Sequence, residues 1–396
     1  MMSPDGPDSA KAWRMVAVAF VAGFVVFGVV YSFGVFLQPM AMEFGASGVA
    51  TSAIYSIASV IWYMLGPVTG HLSDRFGPRI IVGTGAAAMG IGLASTAIID
   101  HLWIGYLTYG LGVGIGAACA YVPTLASLGG WFTHKRNVAF GIAAAGTGCG
   151  MLVVPPLSAV LIGAFGWRDA NLVLGGGGFF LLAACALLAA APPQAPQAST
   201  KRRLRPVLLS FEFVMMYLSW VLATTALFVS FIFLPQFAVA QGAELVAGSV
   251  LISILGAASI LGRLGIGILG RWWSDITLFK IAVLTMGASN ILWLVLPEYQ
   301  WLMLFAIILG LAYGLRIALV PSVLIGFFGP RDLGVILGIF FTATGFAAIL
   351  GPMAASFVVE AFGGYQWGIG FAAATGFLGF LAIAFLGKNA YVENDQ

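Results

Sequence analysis

The sequence has little charge. Of its 396 residues only 8% are Asp, Glu, Lys or Arg, while 61% are hydrophobic. A soluble globular protein cannot cover its surface with so few charges, so that class is excluded. Cysteine is scarce as well, and Cys119, Cys149 and Cys185 all fall inside apolar runs. They build neither a disulfide framework nor a metal-ligand spacing, and read as small packing residues. His71, His101 and His134 lie at the ends of apolar runs, where a histidine is solvated. No Asp or Glu stands deep inside any apolar run. Paired carboxylates, His-rich clusters and nucleophile–base patterns are therefore missing from the apolar segments. An enzyme, a metal or another cofactor has no footing there. The first ten residues are polar and the first apolar run is long enough to span, so no cleaved leader is expected.

Long apolar runs are what the chain has in quantity. Runs of more than about 18 apolar residues read as transmembrane helices. Twelve are predicted, at about 13–38, 49–70, 80–100, 103–128, 138–165, 170–191, 209–239, 245–270, 277–297, 301–328, 334–361 and 367–387. The 53 glycines suit closely packed membrane helices. One exposed linker is evident, Pro192 to Pro206, rich in Pro, Gln and basic residues. The expected organisation is an N-terminal six-helix bundle (1–191), a linker (192–207) and a C-terminal six-helix bundle (208–396).

The few charges are placed with a bias. Fourteen of the 17 lysines and arginines fall at the termini, the linker and the connections on one side. Only Arg168 lies on the other side, and Arg263 and Arg316 lie within spans. By the positive-inside rule, both termini and the linker are expected in the cytoplasm, with the protein multi-pass in the cytoplasmic membrane. The net charge of +3 is then a topology signal, and nucleic acid is not a partner. The two halves also repeat. Ala164-Phe165-Gly166 matches Ala361-Phe362-Gly363 at an offset of 197, and the same offset relates Pro155 to Pro352, Gly141 to Gly338 and Gly70 to Gly267. Two parallel six-helix repeats with a ligand site between them, near the midplane, form a known transporter architecture.

Arg263 is the sharpest single feature. It sits in LISILGAASILGRLGIGILGR (Leu251–Arg271), about eight residues, or roughly 12 Å, from the end of the span. That is far for snorkelling, and no carboxylate lies at similar depth. A charge placed so deep costs a few kcal/mol or more and marks a path for an anion, an ion or a proton. Arg263 is read as the anchor of an anionic ligand. Arg316, in LGLAYGLRIALVPS, is a second intramembrane cation. Two readings stay open for it: bonding to carbonyls freed near Pro321 or reaching a water-filled cavity, or a second ligand anchor binding carboxylate with its planar fork. Around these, Phe24, Phe27 and Tyr31 share one helix face, as do Thr224, Phe228 and Phe231. Tyr313 lies one turn before Arg316, and Tyr121 lies beside Pro123. Tyr31, Tyr121 and Tyr313 would donate hydrogen bonds to a hydroxy or keto acid, with Phe27 and Phe228 enclosing its apolar body.

Two motifs add a resemblance. Gly70-His-Leu-Ser-Asp74-Arg75-Phe-Gly77-Pro-Arg79 follows the second span. It resembles the loop signature of the major facilitator superfamily, which implies gating or structural roles for Gly70, Asp74, Arg75 and Gly77. The stretch Trp131 to Gly150, WFTHKRNVAFGIAAAGTGCG, opens the fifth span. It resembles the second signature of monocarboxylate transporters, and Lys135 and Arg136 are its basic pair. The eighth span resembles the same family, whose members carry an arginine there, so the resemblance implies substrate binding at Arg263. Three positions depart from the family pattern. Ser259 stands where the family has an acid one turn before the arginine, and is kept as a substrate-site candidate. Tyr31 stands where it has a lysine, and the Asp-Gly-Gly-Trp start is broken, Asp5-Gly6 being separated from Trp13.

The resulting expectation is an all-α, twelve-helix transporter of the major facilitator type. It would move a lactate- or pyruvate-like monocarboxylate together with a proton by alternating access, as a monomer in the lipid bilayer. With no buried acid, the proton would bind the substrate itself. The alternative expectation is an anion exchanger of the oxalate–formate type, since two buried arginines favour a dicarboxylate; against it, members of that group carry a lysine in the eleventh span, and 333–361 has none here.

Overall fold

A computed structural model describes residues 9–132, 136–193, 205–329 and 333–387. Lys135 and most of the linker lie outside the described residues, and of Arg136 only the backbone is described. Among the described residues there are helices and turns but no strands. In a bilayer every backbone N–H and C=O must find its partner within the segment, and the helix does this.

Among the described residues twelve helices cross the molecule: α1 (Ala10–Phe44), α2 (Gly48–Phe76), α3 (Pro78–Thr96), α4 (Leu102–Trp131), α5 (136–165), α6 (167–188), α7 (Phe211–Ala240), α8 (Leu245–Leu269), α9 (Asp275–Val295), α10 (Tyr299–Phe328), α11 (Leu333–Phe362) and α12 (Tyr365–Ala384). The boundary between α5 and α6 is Gly166, whose φ of 85° and ψ of 165° interrupt a 53-residue helical stretch. An unbroken helix of that length would run about 80 Å, more than twice the hydrocarbon core. The sequence-based spans agree closely in number and place. The main difference is at the first signature: α2 continues through Gly70, Asp74 and Arg75 to Phe76, so the motif is a helix end and only Gly77 is a hinge. Gly77 takes φ 86° and Pro78 opens the next helix, a pairing of left-handed Gly and first-turn Pro that turns the chain in one residue.

α1–α6 and α7–α12 each pack mainly among themselves. Between the two bundles the principal contacts are α2 against α11 and α5 against α8. These are the same two helices of each repeat exchanged, as twofold pseudosymmetry demands. The backbone repeats with the sequence: Gly166 and Gly363 both have positive φ (85° and 73°), and so do Gly45 and Gly242 (55° and 93°), each pair at the offset of 197. Small residues set the closest approaches. A Cβ on Gly146 would run into the Phe20 carbonyl of α1, and one on Gly34 would lie 2.7 Å from the Phe231 carbonyl of α7.

The two faces of the molecule differ. On the face opposite the termini, Glu360 of α11 accepts a hydrogen bond from Val49 N in the first turn of α2 (3.1 Å), and the Ser52 and Ser356 hydroxyls meet at 3.1 Å beneath it. A carboxylate at a helix N-terminus takes an orphan N–H and meets the positive end of the dipole. Gln236 reaches the Gly34 carbonyl from α7 to α1 (3.4 Å). Toward the terminal face, the last hydrogen bonds between bundles among the described residues are those of Arg263. The lone cation of the opposite face, Arg168, is held by Glu43 (2.7 Å) and the Ala97 carbonyl (2.9 Å).

Two outcomes test this packing. Gly146→Val should lower thermal stability in detergent by at least about 1–3 kcal/mol through overpacking. Gly141→Val, at a position with open space around a built Cβ, should leave it unchanged. Glu360→Ala should speed labelling of a cysteine placed at Ser356, which is only 2% exposed, by a membrane-impermeant reagent. An unchanged rate would show that the Glu360 contact does not hold that face closed.

Candidate functional site

The two bundles meet around aromatic rings. Tyr31 of α1 stacks on Phe231 of α7, with centroids 4.2 Å apart and planes 17° from parallel. Phe27 touches Tyr31, Tyr121 and Trp62 in edge-on contacts at 5.5, 5.1 and 5.0 Å. Phe228 meets Tyr55 at 5.8 Å and Tyr31 at 6.5 Å, and Tyr313 meets Phe231 at 6.1 Å. Phe27, Tyr31, Tyr121, Phe228 and Tyr313 are thus brought together, from α1, α4, α7 and α10. Such pairs add about 0.5–1.5 kcal/mol each beyond their burial.

α2 contributes residues that the sequence reading passed over. Trp62 and Tyr63 stack at 4.6 Å, and Tyr63 lies close to Tyr31 of α1. A signal was present, since Tyr55, Ser59 and Tyr63 recur at i, i+4, i+8 on one face of the helix. Ser259 stands apart. It is fully buried, its hydroxyl donates to the Gly256 carbonyl (2.8 Å), and its backbone packs on Gly314 of α10.

Arg263 is half-buried, and its Nη1 donates to the Ala144 carbonyl (2.7 Å) and to Thr147 Oγ1 (2.9 Å). Both acceptors are on α5, so the arginine of one bundle is held by the other. Its Nε is buried without a partner. Thr147 is placed by Gly23, where a Cβ would lie 3.1 Å from the threonine methyl and 3.4 Å from the Tyr121 ring. Tyr121 lies within electrostatic range of Arg263.

Arg316 is 1% exposed. Its Nη2 donates to Thr224 Oγ1 (2.9 Å), and its guanidinium carbon lies 4.1 Å from the Trp220 ring centroid. Trp220 and Thr224 are one turn apart on α7, and Trp220 is itself fixed by its N–H to Thr344 Oγ1 (2.9 Å). A desolvated cation–π contact is worth about 2 kcal/mol or more. That falls short of the several kcal/mol needed to bury an uncompensated charge. Arg316 Nε and Nη1 have no partner, and neither arginine meets a carboxylate among the described residues. Of the two readings left open for Arg316, bonding to carbonyls near Pro321 is not what the structure contains. Of the first motif, Asp74 and Arg75 are exposed, with Arg75 lying 5.2 Å from the Phe76 ring.

The described residues form an all-helical double bundle with two arginines inside its long apolar helices. Residues 19–297 match the Major Facilitator Superfamily family profile, and the chain belongs to that superfamily. Within it, the chain is 31% identical to monocarboxylate transporter 3 of Mus musculus over 374 residues, covering 91% of this chain and 76% of that one. It is 30% identical to monocarboxylate transporter 4 of Gallus gallus, covering 90% and 80% respectively. The chain is therefore a membrane transporter of the monocarboxylate transporter family, and not an enzyme. The fold is also that of a bacterial homologue of the human lysosomal transporter Spinster, solved in an inward-facing, unoccupied conformation, with a TM-score of 0.78 at 14% identity over 97% of this chain and 99% of that one.

If Thr224 relieves the Arg316 charge, Thr224→Val should cost about 1–3 kcal/mol of stability by orphaning one more buried donor. Thermal unfolding of the purified variant reads this directly. A shift no larger than that of Thr225→Val, whose hydroxyl is buried without a partner, would refute it.

Proposed function

We propose that the chain moves a small monocarboxylate, of the lactate or pyruvate kind, across the cytoplasmic membrane by alternating access and together with a proton. The observation that carries this is Arg263: a half-buried cation with no carboxylate, holding only a carbonyl and a hydroxyl of the opposite bundle, with Nε free. A substrate carboxylate is a better acceptor than either, because it carries a full negative charge and matches the guanidinium fork with two parallel hydrogen bonds. Its arrival would take Arg263 from α5 and loosen the α5–α8 contact. Substrate would then bias the conformational equilibrium through differential binding.

Residues 1–191 and 208–396 would rock as two bodies about this site, joined by the linker at 192–207. Gly70, Asp74, Arg75 and Gly77, with Lys135 and Arg136, would close the terminal face. The cationic bias of that face supports a cytoplasmic position for it and for both termini. Tyr31, Tyr121 and Tyr313 would orient the acid, and Phe27 and Phe228 would enclose its apolar part. With no buried acid in the spans, the proton travels on the substrate. The protein acts as a monomer, each chain holding a complete path. Exchange of dicarboxylates is a second reading, which the free donors of Arg316 favour.

Reconstituted protein should accumulate radiolabelled lactate under an inward proton gradient and lose that accumulation when the gradient collapses. Arg263→Gln should lower uptake about a hundredfold, the equivalent of roughly 3 kcal/mol for removing one partner of a buried charge pair. An Arg263→Gln protein that accumulates lactate at the wild-type rate would falsify the proposal.

A further inference from the structure

We infer that Arg316 is a second anion anchor, and that the cargo preferred by this site carries two anionic groups, as a short dicarboxylate does. The inference rests on Arg263 being the first anchor, and it parts from a strictly monocarboxylate cargo.

The first argument is burial without compensation. Arg316 is 1% exposed, yet its Nε and Nη1 donors have no acceptor. Trp220 covers one face of the guanidinium and Thr224 takes one Nη2 donor. The acceptors that normally complete a buried arginine are missing, and a ligand anion can supply them.

The second argument is position. Gly310 packs on Leu255, Gly314 on Ser259 and Gly262 on Leu311, so α8 and α10 run parallel with offsets of 55, 55 and 49 residues. Arg316 is therefore level with the stretch 261–267, within about four residues or roughly 6 Å along the axis from Arg263. The two guanidinium groups reach different ways, Arg263 to α5 and Arg316 to α7. Tyr313 joins their surroundings, lying within electrostatic range both of Arg316 and of Tyr121, which in turn lies near Arg263. Two cations at similar depth thus lie near one cluster of aromatic rings.

The third argument is charge. One carboxylate on Arg263 leaves Arg316 uncompensated, whereas a dianion neutralises both.

The test is equilibrium binding to the full-length protein in detergent, with labelled lactate displaced by malonate or succinate. Wild type should bind one of these dicarboxylates about tenfold or more tightly than lactate. Arg316→Met should abolish that preference, and Arg316→Lys, which keeps the charge, should restore part of it. Arg263→Gln should weaken lactate and dicarboxylate together. Dicarboxylates binding wild type no more tightly than lactate, or a preference that survives in Arg316→Met, overturns the inference and leaves the Arg263 reading standing. If neither lactate nor dicarboxylate binds wild type, the Arg263 reading falls and this inference with it.

Discussion

A guanidinium held where water is scarce must be compensated by something, and the centre of this protein is arranged around that demand. The chain offers Arg316 an aromatic face and one hydroxyl, and offers Arg263 a carbonyl and a hydroxyl. Neutral groups solvate a cation only in part. Both sites therefore keep a positive potential, which stabilises an anion and repels a second cation. On the proposed reading the missing carboxylate would make the site anion-selective, since a fixed Asp or Glu would quench the potential that draws the ligand in.

On the proposed reading, the double-bundle architecture would turn that electrostatic state into motion. Arg263 sits on one bundle and its acceptors on the other, so whatever competes for its donors also changes the contact between two bodies. At the opposite face the Glu360 contact to α2 and the Ser52–Ser356 pair hold the same bundles together without involving ligand. The seam can be broken locally because its interhelical contacts are small residues and single hydrogen bonds, with no wide ion-pair network across it among the described residues. Close approaches such as Gly34 on Phe231 give dispersion contact over a short path and leave little to unpack when the bundles tilt.

Much of this was legible in the chain alone. Twelve apolar runs became twelve helices, and the offset of 197 reappeared as matched positive-φ glycines at 45 and 242 and at 166 and 363. Arg263, Tyr31, Tyr121 and Tyr313 were recognisable because each is conspicuous within an apolar span. Less was legible where meaning depended on a neighbour. Ser259 was expected at the site because it stands near Arg263, but its hydroxyl is spent on Gly256 and its backbone on Gly314. Tyr55 and Tyr63 were overlooked because a tyrosine in an apolar helix reads as packing until the partner helix is seen.

Hydropathy, helical period and charge bias are local properties summed along a segment. They indicated the number of spans, roughly where each runs, the charge bias of the loops and the presence of two cations inside spans. Which of those cations keeps free donors was decided only by the tertiary structure. The acceptors lie far away in the chain, Ala144 at 119 residues from Arg263 and Thr224 at 92 residues from Arg316. No local pattern encodes a partner brought in by packing, and that packing leaves Arg263 shared between two bundles and Arg316 enclosed within one.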